Sequence, residues 1–191
     1  MHRIDMARPK QNRRAALLHA FLVCAGLLVS LGTMVFAVPM QNDPNGFEGI
    51  PWGAGFSETA DFKLVDDGPR VKGYELVQGP PPLGGVKVDT MRFITLNGKF
   101  ARVTIRYHST EAHKQIVDYF QSKYGPLDRT PGQISKGGVQ QLNWRGDDTL
   151  ITLTYESAAD RGIIFFESRS LALKLSEGLM APEPDLGGAT Y

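Results

Sequence analysis

Two histidines, two acidic pairs, one serine among glycines and three arginines are the residues whose types and spacing could do chemistry. His108 and His113 are the only histidines beyond residue 37. A metal pair at i and i+4 shares one helix face, whereas these straddle an expected strand-to-helix junction. Zinc would then need distant carboxylates, so solvated junction residues, with no metal and no cofactor, are expected. Asp66-Asp67 and Asp147-Asp148 could form a carboxylate dyad or calcium ligands. Both fall in expected turns, where Asp is a favoured residue, and neither fits the D-x-[DN]-x-[DN]-G loop. Gly53-Ala54-Gly55-Phe56-Ser57 lacks the G-x-S-x-G elbow of serine hydrolases. Glu58 keeps the same stretch from being G-x-G-x-x-G. Arg145-Gly146-Asp147 spells an adhesion tripeptide, but its place at a hairpin tip accounts for it structurally. No catalytic residues are expected.

The arginines are the nearest thing to a binding surface. Arg92, Arg102 and Arg106 share the outer side of one hairpin by alternation, with Ile94 and Phe100 expected beside them. An apolar face carrying arginine suits a protein or an anionic ligand. Cover by the C-terminal helix or by the Pro-rich loop is the competing expectation. Phe47, Trp52, Phe56, Tyr119, Tyr124 and Trp144 either build the core or line a ligand groove.

The elements that position these residues follow from pattern. Strands are expected at Phe62–Val65 and Lys72–Val77. Gly79-Pro80-Pro81-Pro82-Leu83-Gly84-Gly85 reads as an exposed loop, since proline removes ladder donors. Asp89 to Tyr107 is a hairpin. A three-residue Leu96-Asn97-Gly98 loop would set Phe93 against Ala101 and Met91 against Val103, with Ile94/Phe100 and Arg92/Arg102 on the other side. A two-residue Asn97-Gly98 turn would instead pair Phe93 with Arg102. The three-residue form is expected.

Ser109 or Thr110 caps a helix from about Glu111 to Tyr124. Ala112, Ile116, Phe120 and Tyr124 recur every four residues, and Gly125-Pro126 stops the helix. Strands follow at Gln140–Arg145, Thr149–Glu156 and Ile163–Glu167. A last helix is capped by Ser168, with Leu171, Leu175 and Leu179 in line. The sum is α+β: an antiparallel sheet with one central helix packed on a face and a C-terminal helix.

The first 14 residues hold five basic groups and one acid, and a nearly unbroken apolar run, Ala15 to Ala37, follows. That is the layout of an export signal. Residues 1–37 are read as a signal peptide cut between Ala37 and Val38, or as an uncleaved anchor that leaves the domain on the same side. Residues 38–46 read as a linker, 47–180 as a single domain and 181–191 as a disordered tail. Without the first 37 residues the chain carries 16 Lys+Arg against 19 Asp+Glu. With no basic cluster, that balance argues against nucleic acid as a partner. Cys24 is the only cysteine, so the exported part has no disulfide and no thiol nucleophile.

Phe47-x-Gly49-Ile50-x-Trp52-Gly53 after an export signal, a helix ending Tyr124-Gly125-Pro126 and a Trp144 strand together resemble small exported bacterial proteins of uncharacterised function. The likeness runs from Phe47 to Ser168 and implies a periplasmic or cell-envelope location with no known activity. The functional expectation is a non-catalytic envelope domain that binds a protein or small ligand around Arg92, Phe100, Arg102 and Arg106. It meets the membrane only through the N-terminal segment, if that stays uncleaved. The alternatives are an envelope hydrolase with a scattered site using His108, His113 or the acidic pairs, and an inhibitor presenting the Gly79–Gly85 loop.

Overall fold

A computed structural model describes residues 38–127 and 134–180. Residues 1–37, where an export signal is expected and which include Cys24 and Ala37, lie outside the described residues, as do residues 128–133 and 181–191. Among the described residues no helix is long and apolar enough to cross a membrane.

A two-residue ribbon, β1 (Gly46–Phe47) and β2 (Ile50–Pro51), precedes the main sheet. Four strands then run up and down: β3 (Phe62–Asp67), β4 (Val71–Leu76), β5 (Thr90–Leu96) and β6 (Lys99–His108). Helix α1 (Thr110–Tyr124) leads to a second meander of β7 (Ile134–Lys136), β8 (Val139–Arg145), β9 (Thr149–Glu156) and β10 (Arg161–Ser168). Helix α2 (Arg169–Met180) ends the described chain. The sheet order is β3-β4-β5-β6-β10-β9-β8-β7, and every pairing is antiparallel. The protein is therefore α+β, with an antiparallel sheet and a C-terminal helix. The second meander returns so that β10 lies beside β6, which makes the arginine-bearing β6 a central strand.

Alternation divides the sheet into two faces. One buries Phe93, Val103, Ile105, Leu142, Ile151, Leu153, Ile164 and Phe166. From α1, Ile116, Phe120 and Tyr124 join that core. The Phe120 ring stands edge-on to Trp144 at 5.2 Å and to Phe166 at 5.5 Å. Helix α1 starts at Ser109, whose hydroxyl accepts from the Ala112 amide. It stops at Gly125, where φ is 87°, a conformation that costs glycine little. The Trp144 indole donates to the Gly125 carbonyl, tying the helix end to β8.

The 38–46 segment is packed against the domain, where its composition suggested a linker. Met40 is buried and donates its amide to the Arg145 carbonyl, while Gln41 donates to Tyr124. The Asp43 carboxylate accepts from the Asp148 and Thr149 amides at the β8–β9 turn. A side chain at Gly146 would strike that carboxylate, its Cβ falling 2.2 Å from Asp43 Cγ. This close approach explains the glycine inside Arg145-Gly146-Asp147. The Pro-rich loop is likewise only partly exposed. Pro80, Pro81 and Pro82 face solvent, but Leu83 is buried in the core cluster, and a Cβ on Gly84 would collide with the Tyr119 ring.

The β5–β6 register differs from both forms expected for it. Asn97 and Gly98 hold φ of 51° and 75°, a two-residue turn with Leu96 opposite Lys99. A bulge then shifts the pairing, so that Thr95 opposes Phe100 but Ile94 opposes Arg102. Ala101 is the extra residue. Beyond it Phe93 faces Val103 and Met91 faces Ile105, rather than Ala101 and Val103. A bulge puts two residues against one, which turns Phe100 away from the arginines. Phe100 is fully buried, 4.9 Å from Trp52 and 5.6 Å from Phe56 between ring centroids.

Candidate binding face

On the face opposite the core, the registers stack residues in rows across the strands. Thr154, Ile163, Arg106 and Thr90 form one row. Thr152, Phe165, Thr104, Arg92 and Glu75 form the next. Leu150, Glu167, Arg102, Ile94 and Gly73 form the third. Arg92, Arg102 and Arg106 thus share this outer face, as alternation requires. Phe100 does not join them.

The three arginines are in different states. Arg92 donates to Glu75 at 2.9 Å and to Asp66 at 2.6 Å. Its charge is opposed by partial burial, yet the Glu75 and Asp66 carboxylates outweigh that and hold its pKa above the ordinary value. Gly73 makes room for this, since a Cβ there would lie 3.0 Å from Asp66 Oδ2 and 3.1 Å from Arg92 Cδ. Arg102 pairs with Glu167 at 2.9 Å across β6 and β10, both side chains mostly buried, and its guanidinium sits 5.1 Å from the Phe165 ring centroid. Arg106 is exposed and has no acidic partner among the described residues.

Two hollows open on this face and both reach Arg106. One, about 450 Å³, continues past Ile163 and Thr154 to His108, Arg161 and Glu156. The other, about 350 Å³, runs along Ile163 and Phe165 toward Arg102, Ile94 and Leu179. Helix α2 covers only the corner where Leu175 packs on Leu96 and Ala101, with Leu171, Val71 and Ile94 around them. Leu179, expected on the buried stripe, is 55% exposed. The Pro-rich loop lies with the core through Leu83 instead. Ile163, Phe165 and Arg161 went unnoticed as part of this face. Their signal was present in the alternation of β10, where Gly162, Ile164 and Phe166 are buried between them.

The remaining candidate residues are committed elsewhere. His108 is exposed and contacts Asp89 at 2.5 Å. His113 is half-buried, not solvated as expected. Its Nδ1 lies 2.8 Å from the Tyr107 hydroxyl and its Nε2 lies 2.9 Å from Gln140 Oε1. A neutral imidazole meets both partners with one proton, Nε2–H donating to Gln140 and Nδ1 accepting from Tyr107. The ring is stacked 4.1 Å from Tyr155. Burial lowers the His113 pKa, partly offset by the Gln140 hydrogen bond. Tyr107 is pushed well above the usual tyrosine range by burial, then by neighbouring Tyr155. The Tyr155 hydroxyl donates to Asp160 at 2.6 Å, which lowers the Asp160 pKa.

The acidic pairs are not brought together. Asp66 and Asp67 meet Arg92 and Lys72 on edge strand β3, whereas Asp147 and Asp148 lie in the β8–β9 turn. There Arg169 donates to the Asp147 carbonyl. Ser57 is exposed and outside any strand or helix. Phe47, Tyr124 and Trp144 belong to the buried core, with Trp52, Phe56 and Tyr119 packed against it, so those aromatics build core. No group of three metal-ligating side chains exists among the described residues. No protein-family model, curated protein or solved structure matches the chain.

Proposed function

We propose that this chain is an exported, non-catalytic domain of the bacterial cell envelope that binds a partner on its outer sheet face. Its N-terminal residues supply the export signal, and α1 is the central helix on the opposite, core-bearing face. The contacts of Phe120 with Trp144 and Phe166 support that placement. One observation carries the functional reading. The outer face holds two adjoining hollows, and the arginine common to both has no carboxylate among the described residues. Arg92 and Arg102 frame the site but are bound to Glu75, Asp66 and Glu167. Recognition therefore centres on Arg106, with the other two holding the rim in shape.

Crosslinking of the full-length protein in its native cells tests this. Arg106→Glu should abolish the major crosslinked species while leaving the melting temperature within a degree or two, because an exposed charge without a partner adds little to stability. An undiminished crosslink in the variant removes the outer face from consideration. The N-terminal peptide of the bait reports separately whether the chain is cut between Ala37 and Val38.

A further inference from the structure

The outer hollows differ in what they leave free, and the difference specifies a ligand class. Central strands β6 and β10 are each paired on both sides, so their amides and carbonyls are spent in the sheet and offer little to a peptide backbone. The guanidinium groups of Arg92, Arg102 and Arg161 hold carboxylates already. What remains on this face, among the described residues, is one uncommitted guanidinium, Arg106, with the Thr90 and Thr154 hydroxyls in the same cross-strand row. Beside it runs an apolar strip made by Ile163 and Phe165 and closed by the exposed Leu179.

Resting on the outer-face reading above, we infer that the site takes an amphiphile with a single anionic head: one carboxylate or phosphate on an aliphatic body. The head meets Arg106, whose planar fork matches either oxyanion in two parallel hydrogen bonds. The body lies along Ile163 and Phe165 toward Leu179, removing three partly exposed apolar side chains from water. A second anion is not accommodated, because the neighbouring cations already have partners.

Equilibrium dialysis of the full-length protein, with probes below their critical micelle concentrations, tests the inference. Dodecanoate and dodecyl phosphate supply the two head chemistries. Acetate supplies the head alone and dodecanol the body alone. The expected result is saturable dodecanoate or dodecyl phosphate binding that weakens about tenfold in Arg106→Gln, the loss of a charge-assisted pair. Dodecanol should bind both proteins equally, which separates the site from apolar uptake by the N-terminal segment. Leu179→Ser should weaken dodecanoate without changing the melting temperature. Equal affinity of the native protein and Arg106→Gln for both anions overturns the inference. So does the absence of saturable binding to the native protein. If the amphiphiles fail while Arg106→Glu still loses its crosslinked partner, the ligand class falls and the binding face stands. If both fail, the face falls too.

Discussion

The two faces of the sheet are made by the same strands and handled in opposite ways. On the core-bearing face every large side chain of the central strands is covered, by α1, by Met40 and Phe47 from the N-terminal segment, and by Leu83 from the Pro-rich loop. His113 there is held between Tyr107 and Gln140, while the buried Thr95 hydroxyl has no hydrogen-bond partner among the described residues. On the outer face α2 closes one corner around Leu175, and the remainder combines arginine–carboxylate pairs with the partly exposed Ile163 and Phe165. Burial of an unpaired charge is costly, so arginine is tolerated only on the open side. Even there, the mostly buried Arg102 keeps a carboxylate within 2.9 Å. The exposed Arg161 keeps Glu156 as well, so among the described residues the arginine of this face that stands alone is Arg106.

The comparison can be broken most directly by deleting one aromatic ring from each face. Phe120→Ala removes a fully buried ring and should cost about 4 kcal/mol. Phe165→Ala removes a half-buried ring on the outer face and should cost about 1–2 kcal/mol. Urea midpoints at constant slope would measure both. Equal costs would mean that the outer face is covered in solution.

A smaller effect sharpens the division within the outer face. Glu167→Gln leaves Arg102 largely buried without its carboxylate and should lower stability by about 1–3 kcal/mol. The matching change at the exposed Glu156–Arg161 pair, Glu156→Gln, should have no measurable effect. If the two substitutions prove equivalent, Arg102 does not frame the site as described.

The least of the expected effects is a pH response confined to the core-bearing side. The folded state holds the His113 pKa below the ordinary 6.5, so below about that pH the unfolded chain binds the proton more readily. Stability from this group is complete above that value and declines as pH falls toward the folded-state pKa. The melting temperature should therefore drop between neutral and mildly acidic pH, and His113→Gln should flatten that part of the profile. An unchanged slope would show that His113 is not the group responding.

Helix α1 was legible from residues alone because its signals are local: a capping serine, a four-residue apolar stripe and a glycine stop within one short segment. The Thr149–Glu156 strand was legible for the same reason, and its buried face carries Ile151, Leu153 and Tyr155. The Asn97-Gly98 turn was also visible, but its register was not. Phe100 is drawn into contact with Trp52 and Phe56, and Ala101 packs against Leu175 of α2. Both contacts come from segments distant along the chain, and the bulge that satisfies them has no marker in the hairpin itself. Arg92, Arg102 and Arg106 kept their common face because they lie on one side of the bulge, where period two is intact. Phe100 lies on the other side.

Residue order by itself determined the α+β class, the helix with its caps, the absence of cysteine beyond residue 37 and the outward set of three arginines, but not every turn, since Asp66 and Asp67, expected in one, end strand β3. Each depends on interactions a few residues apart or on composition. Only the tertiary structure decided that β10 lies beside β6, that Glu167 meets Arg102 and that Asp66 reaches Arg92. It also decided that residues 40–46 close the core and that, among the described residues, Arg106 is left without a carboxylate. Those facts depend on which strands become neighbours. Strand order is set by which apolar faces are buried together, a global packing condition that no local pattern encodes.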